Sequence, residues 1–256
     1  MSKKIFFASD FHLGTNATLP SLEREKKIVE WLSSIKDEME ALYLVGDIFD
    51  YWFEYKSTIP KGFARFLGKI AELRDADIPI YFFTGNHDMW MFDYFEKEFD
   101  IPVYHKPIQR QLQGKNLFIG HGDGLGPNDV GYKIVKKILS NNFCQWAYAR
   151  LHPNTGLWLM KKFSHKSRDF GGDNIVFHGR EKEMLVQYAE RKIKTEPFDY
   201  FVFGHRHLPL NVKLSNSKST YFGLGDWTHY QSYGVLENGS FSLEYYERPD
   251  MTQIIT

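Results

Sequence analysis

Five short apolar runs in this chain end alike, each in a tight turn carrying carboxylate, imidazole or amide side chains. Ile5-Phe6-Phe7-Ala8 leads into Ser9-Asp10-Phe11-His12, and Ala41-Leu42-Tyr43-Leu44-Val45 into Gly46-Asp47. Ile80-Tyr81-Phe82-Phe83 leads into Thr84-Gly85-Asn86-His87-Asp88, Leu117-Phe118-Ile119 into Gly120-His121-Gly122-Asp123, and Tyr200-Phe201-Val202-Phe203 into Gly204-His205-Arg206-His207. Continuous apolar runs of this length are expected for strands covered on both faces.

Helical patterns fill the intervals. Ser21 reads as the N-cap of a helix with Ile28, Val29, Leu32, Ile35 and Met39 on one face. Phe63, Phe66, Leu67, Ile70 and Leu73 mark a second helix, and Met184, Leu185, Tyr188, Ala189 and Lys192 border a third. Strands alternating with helices imply an α/β fold with a largely parallel sheet and its strand ends along one edge. The last fifty residues differ. Tyr233–Glu237 and Phe241–Tyr245 flank Asn238-Gly239 and predict a hairpin on a type I′ turn. Val212–Leu214 and Thr220–Phe222 read as further strands. A second sheet stacked on the first, with helices outside, accommodates both halves.

Residues 125–170 break the alternation. From Val130 to Arg168 the chain has eight Lys/Arg and no Asp or Glu, interleaved with residues such as Tyr132, Ile134, Ile138, Phe143, Trp146, Trp158 and Phe163. This reads as a helical cap inserted into a single domain spanning 1–256. A solvated helical face with its own small core is the plainer alternative.

The formal net charge is zero, so the bulk composition points to no nucleic-acid partner. The single cysteine, Cys144, excludes an internal disulfide and reads as a small buried apolar residue. The basic start Met1-Ser2-Lys3-Lys4 precedes only four apolar residues, too few for a signal peptide, and no apolar run approaches a membrane span. A cytoplasmic location is expected.

Asp10, His12, Asp47, Asn86, His121, His205 and His207 together offer two carboxylates, four imidazoles and one amide oxygen. That donor set suits two divalent cations, with one carboxylate shared between ions roughly 3.5–4 Å apart. The glycines in these turns permit sharp bends and the approach of a large anion. One Asp-x-His turn alone is weak evidence. Five such turns, each closing an apolar run, form a specific signal.

This motif order resembles the calcineurin-like metallophosphoesterases, over Ile5 to about Pro209. The resemblance implies a four-layer α-β-β-α sandwich. It implies one ion held by Asp10, His12, Asp47 and His207 and another by Asp47, Asn86, His121 and His205, with Asp47 bridging. It makes His87 a catalytic residue that protonates the leaving oxygen or stabilises the phosphoryl group, with catalytic Asp88 orienting it, and implies attack by a hydroxide bridging the ions. Manganese is the expected metal, with iron or zinc as alternatives.

Gly46-Asp47-Ile48-Phe49-Asp50-Tyr51-Trp52 and His121-Gly122-Asp123-Gly124-Leu125, followed by Asp129 and Tyr132, look like the UDP-2,3-diacylglucosamine hydrolases of lipid A synthesis. That resemblance implies cleavage of a UDP-linked glycolipid to UMP and 2,3-diacylglucosamine 1-phosphate. The cap would accept the acyl chains and touch the cytoplasmic face of the inner membrane. Asn86, His87, Asp129, Tyr132, Ser164, Lys166 and His205 become candidate substrate contacts. The best-known members of that group have Gly-Asn-Arg-Asp where this chain has Gly85-Asn86-His87-Asp88.

A metallophosphoesterase acting on another nucleotide pyrophosphate or phosphodiester shares every ligand, and a silent binding scaffold is the alternative from another class. Asp50 reads as a turn or supporting residue and Trp227 as packing near the rim. His105, His152, His165, His178 and His229 read as surface or structural.

Overall fold

Side chains on both faces of the first strand set the layering. In a computed structural model, β1 (Lys4–Ala8) sends Phe6 and Ala8 into one core and Ile5 and Phe7 into another. This is the period of two that makes a strand a wall between two cores. The structure describes residues 3–126, 130–171, 176–177 and 179–247, with only the backbone described at 130 and 165–171.

Around β1 lies a six-stranded sheet completed by β2 (Met39–Val45), β3 (Ile80–Phe83), β4 (Val103–Tyr104), β10 (Ser232–Glu237) and β11 (Ser240–Tyr245), in the order β11-β10-β1-β2-β3-β4. β1 to β4 run parallel, while β10 and β11 are antiparallel. The second sheet has five strands in the order β5-β6-β7-β9-β8: β5 (Ile108–Leu112), β6 (Lys115–Gly120), β7 (Tyr200–Phe203), β8 (Pro209–Lys213) and β9 (Thr220–Leu224). β6, β7 and β9 are parallel to one another.

Three apolar layers hold four structural layers together. Between the sheets, Ile5, Phe7, Tyr43 and Val45 meet Leu117, Ile119, Val202 and Phe222. On the outer face of the first sheet lie α1 (Ser21–Ile35), α2 (Ala64–Asp75) and α3 (Tyr94–Phe99), through Trp31, Phe66 and Phe95. On the outer face of the second lies α7 (Met184–Lys192), through Leu185, Val186 and Ala189. Each fully buried large apolar side chain contributes roughly 1.5–3 kcal/mol. The chain therefore has the expected α-β-β-α sandwich.

Three more helices lie between β6 and α7: α4 (Val130–Leu139), α5 (Asn142–Tyr148) and α6 (Pro153–Gly171). Their large apolar residues are mostly outside any core. Phe143, Trp146, Trp158 and Phe163 are 71%, 54%, 59% and 63% exposed. Among the described residues of this segment no private core forms. Cys144, expected to be buried, is half-buried because α5 buries none of its residues.

Local expectations held where periodicity was long. Asn238 and Gly239 both have positive φ, as a type I′ turn requires. Ser21 is the first helical residue rather than the N-cap. Its Oγ accepts from Gly14 N instead, because the preceding loop folds back over the helix start. Met39, placed on α1 by spacing, opens β2, because a 3₁₀ turn over Lys36–Glu38 ends the helix early.

Candidate metal centre

Each parallel strand delivers its turn to one rim, and hydrogen bonds between turns join the sheets there. Asp10 N donates to Gly46 O at 3.0 Å, and His12 N to Asp47 O at 3.0 Å. Across the sandwich, His205 N donates to Asp10 Oδ2 at 3.0 Å, and His121 Nδ1 lies 2.9 Å from Val45 O. The glycines keep these turns in register for a reason more local than anion approach. A Cβ on Gly85 would stand 2.2 Å from Asp47 Oδ1, and one on Gly204 would stand 2.6 Å from Asp10 Oδ2.

Strain gathers at the same place. Asp10, His12, Asp47, His205 and His207 all have left-handed backbones, with φ from 45° to 69°. Non-glycine residues rarely adopt this region, and such strain concentrates at functional sites.

The ligand atoms meet in three groups: Asp10, His12 and His207; His12, Asp47 and His87; and Asp47, His121 and His205. His121 Nε2 lies 3.2 Å from Asp47 Oδ2, and His207 Nε2 lies 3.5 Å from Asp10 Oδ1. The first and third groups correspond to the two expected ligand sets, with Asp47 also beside His12 at 3.9 Å. His87 enters the middle group although it was expected as a catalytic and substrate-contacting residue, not as a ligand.

Two observations test whether these residues suit cations. Asp10 Oδ1, His12 Nε2, Asn86 Oδ1 and His121 Nε2 are buried without a hydrogen-bond partner among the described residues. Orphaned buried polar atoms are costly, and a cation would satisfy all four. With side chains alone, burial opposes charge on His12 and His121. Asp10 and Asp50 around His12, and Asp47 beside His121, outweigh it and push both up to about 10. Burial likewise opposes the Asp47 carboxylate, but His121 and His87 hold it well below the usual range. The cluster is a buried region of negative potential that draws in positive charge, and its donors fit divalent metal ions.

His87 is held differently from expectation. Asp88 was expected to orient it. Instead, the Asp88 carboxylate accepts backbone N–H groups from Gly85 at 2.7 Å, Ile48 at 2.8 Å and Asp47 at 3.3 Å, tying two turns together. Burial, then the Asp47 charge, pushes Asp88 up to about 7 against those donors. The His87 ring is oriented by Asp50 O and Ser164 Oγ, each 3.2 Å from Nδ1. Ser164 Oγ donates its proton to Asp50 Oδ2 at 2.7 Å, so Nδ1 carries the imidazole proton and Nε2 is the free nitrogen. Burial lowers the His87 pKa, which keeps the ring neutral at pH 7. Burial, then His121, lowers His205 to about 4.

Of the other expected substrate contacts, Ser164 is buried at the His12–Asp50–His87 cluster, and Tyr132 OH donates to Asp123 Oδ2 at 2.6 Å. Asp129 lies outside the described residues, as does the side chain of Lys166. Trp227 is buried against Phe11 and Trp31, and its backbone N–H donates to Asp10 O.

Asp50, read from sequence as a turn or supporting residue, and two residues given no site role there support the cluster. Asp50 Oδ1 lies 3.3 Å from His12 Nδ1. Asp226 Oδ2 accepts from His207 Nδ1 at 2.9 Å. Arg24, buried in α1, donates to the carbonyls of Phe11 and His12 at 2.7 and 2.6 Å. Asp226 carried a signal: Gly225-Asp226 closes the apolar β9 just as Gly46-Asp47 closes β2.

The family model for calcineurin-like phosphoesterases matches residues 3–209. A protein of Porphyromonas gingivalis named UDP-2,3-diacylglucosamine hydrolase is 37% identical over 257 residues, covering 95% of this chain and 98% of its own. Proteins of the same name are 27% identical in Histophilus somni, covering 88% of this chain and 92% of theirs, and 27% identical in Vibrio parahaemolyticus, covering 95% and 97%.

Proposed function

The chain belongs to the calcineurin-like phosphoesterase family, and on that premise we propose that it hydrolyses the pyrophosphate bond of UDP-2,3-diacylglucosamine to UMP and 2,3-diacylglucosamine 1-phosphate. The observation that carries this reading is the Ser164–Asp50 hydrogen bond. It anchors a helix of the exposed aromatic segment directly onto the metal-ligand cluster. A head group held at the cluster and acyl chains lying over α4–α6 would thus belong to one molecule. The relatives' printed names fit such a substrate.

Asp10, His12, Asp47 and His207 would hold one ion, and Asp47, Asn86, His121 and His205 the other, manganese being our choice and iron or zinc meeting the same donor chemistry. When bound, such ions supply charge to neutralise phosphoryl oxygens and acidity for an attacking water. The protein's part is positional. Asp50 and Ser164 fix the His87 ring, whose free Nε2 would accept the proton lost by the attacking water and pass it to the departing oxygen. The turns around Asp10 and Asp47 hold the ligand atoms in place without rearrangement, as pre-organised catalysis requires.

α4–α6 act as a cap in this reading. Arg150 sits over the Trp146 ring at 5.1 Å and Lys162 over Trp158 at 5.3 Å, on exposed aromatic surface suited to lipid chains and anionic head groups. No helix among the described residues is long and apolar enough to cross a membrane, and the proposed contact is peripheral, at the cytoplasmic face. Incubation of the manganese-loaded protein with UDP-2,3-diacylglucosamine, with both products identified by mass, tests the reading. Absence of UMP would sink it. Asp47→Ala, with the fold retained by circular dichroism, is expected to lose more than the ~10–100-fold that losing a metal-supporting residue costs.

A further inference from the structure

An open cleft of about 630 Å³ adjoins the centre at His121 and extends beneath α4 and the start of α5. Resting on the substrate class proposed above, we infer that this cleft is the subsite for the nucleoside monophosphate half, the group that leaves as UMP.

The charge balance of the walls is the first argument. Lys106, Lys133, Lys136 and Lys137 line the cleft, with Asp123 as its one carboxylate among the described residues. Lys136 pairs with Asp123, and Lys133 Nζ donates to Gly126 O at 2.8 Å. Lys137 has no charged or hydrogen-bonding partner among the described residues. A cationic recess beside a phosphoryl-processing centre attracts the second phosphate of a diphosphate.

The second argument is the division of α4 into two faces. Lys133, Lys136, Lys137 and Ser140 fall at helical spacing on the cleft side. Ile134, Val135 and Ile138 are 57%, 49% and 54% exposed and do not line the cleft. One face suits the ionic half of an amphiphile and the other the apolar half. The helix therefore separates nucleotide from acyl chains.

The third argument is the polarity of the far end. From Lys133 to Ser140 the helix rises about 10 Å. Beyond it, Asn142 and Gln145 line the cleft, as does Tyr104. Amides offer paired donors and acceptors to the edge of a pyrimidine, and an aromatic ring offers a stacking face. The wall is preformed. Trp90 Nε1 donates to Leu139 O at 2.8 Å, pinning the end of α4 to the sandwich, and Gln145 Nε2 donates to the same carbonyl at 3.3 Å.

Calorimetric titration of UMP into the full-length manganese-loaded protein tests the assignment, alongside Lys137→Glu and, as a charge-reversal control on β8, Lys213→Glu. Lys137→Glu is expected to weaken UMP binding at least about five-fold, with Lys213→Glu matching the wild type. Asn142→Ala is expected to weaken UMP more than it weakens inorganic phosphate. Wild-type affinity for UMP in Lys137→Glu, no UMP binding at all, or equal sensitivity of phosphate and UMP to Asn142→Ala would each overturn the subsite. UMP binding that depends on Lys137, in a protein releasing no UMP from UDP-2,3-diacylglucosamine, would retain a nucleotide site and overturn the substrate reading alone.

Discussion

His207 Nδ1 lies 2.9 Å from Asp226 Oδ2, and this contact sets the ring with Nε2 3.5 Å from Asp10 Oδ1. Burial opposes the Asp226 charge, but hydrogen bonds from His207 and His229 outweigh it and hold the carboxyl well below the usual range. Asp226 is therefore an anion that fixes the tautomer of a candidate ligand. Asp226→Asn should weaken metal affinity roughly 10–100-fold while leaving the fold intact. Metal content after dialysis against graded chelator, measured by mass spectrometry, would show it. Equal retention by variant and wild type would remove Asp226 from the site.

His87 should act on the chemical step. His87→Ala is expected to lower kcat by about 10²–10⁴-fold with KM little altered. His87→Arg restores the residue of the best-known hydrolases and should recover part of that loss, because a guanidinium can also stabilise the phosphoryl group. Steady-state kinetics on the three proteins decides the matter, and a fall in KM-derived affinity alone would contradict the assignment.

Arg24 is 1% exposed and donates to the carbonyls of Phe11, His12, Thr15 and Leu19, so one guanidinium organises the turn bearing two candidate ligands. Arg24→Leu removes a charged donor from all four carbonyls, leaving backbone donors only to those of His12 and Leu19 among the described residues, and should cost about 3–5 kcal/mol of stability. Urea unfolding measures the loss, and a change below about 1 kcal/mol would show that the turn holds itself.

Alkaline pH should unfold the protein through its tyrosines. Tyr43, Tyr221 and Tyr233 are buried, and burial is the main cause pushing each phenol above its ordinary value of 10.0. The unfolded chain then releases protons near pH 10 that the native state retains. Stability is intact below that pH and falls above it, by about 1.4 kcal/mol per pH unit for each phenol. Denaturant titrations from pH 9 to 11, followed by phenolate absorbance, should show ionisation accompanying unfolding. Full ionisation of a native protein at pH 11 would refute it.

Much of this was legible in one dimension because strand and turn are local. β1, β3 and β7 begin and end within a residue of their apolar runs, and the turns after them carry the ligand types in order. β4, β5 and α3 were not legible. A two-residue strand, the polar run Ile108-Gln109-Arg110-Gln111-Leu112 and a six-residue helix have too little periodicity to stand out from loop. Asp88 was misread because its neighbour in sequence, His87, is not its partner in space.

By itself, then, the sequence determined the strand walls and the identity of the donor atoms. These follow from continuous apolar runs and side-chain chemistry, whereas the contacts that demand Gly85 and Gly204 come from Asp47 and Asp10, far away in sequence. Only the tertiary structure decided which atoms meet. Asp50 reaches His12 across 38 residues, Ser164 reaches Asp50 across 114, and His205 reaches Asp10 across 195. Those contacts depend on how two sheets stack and where α6 lands. Such long-range closures are stabilised by packing throughout the sandwich, and no local pattern encodes them.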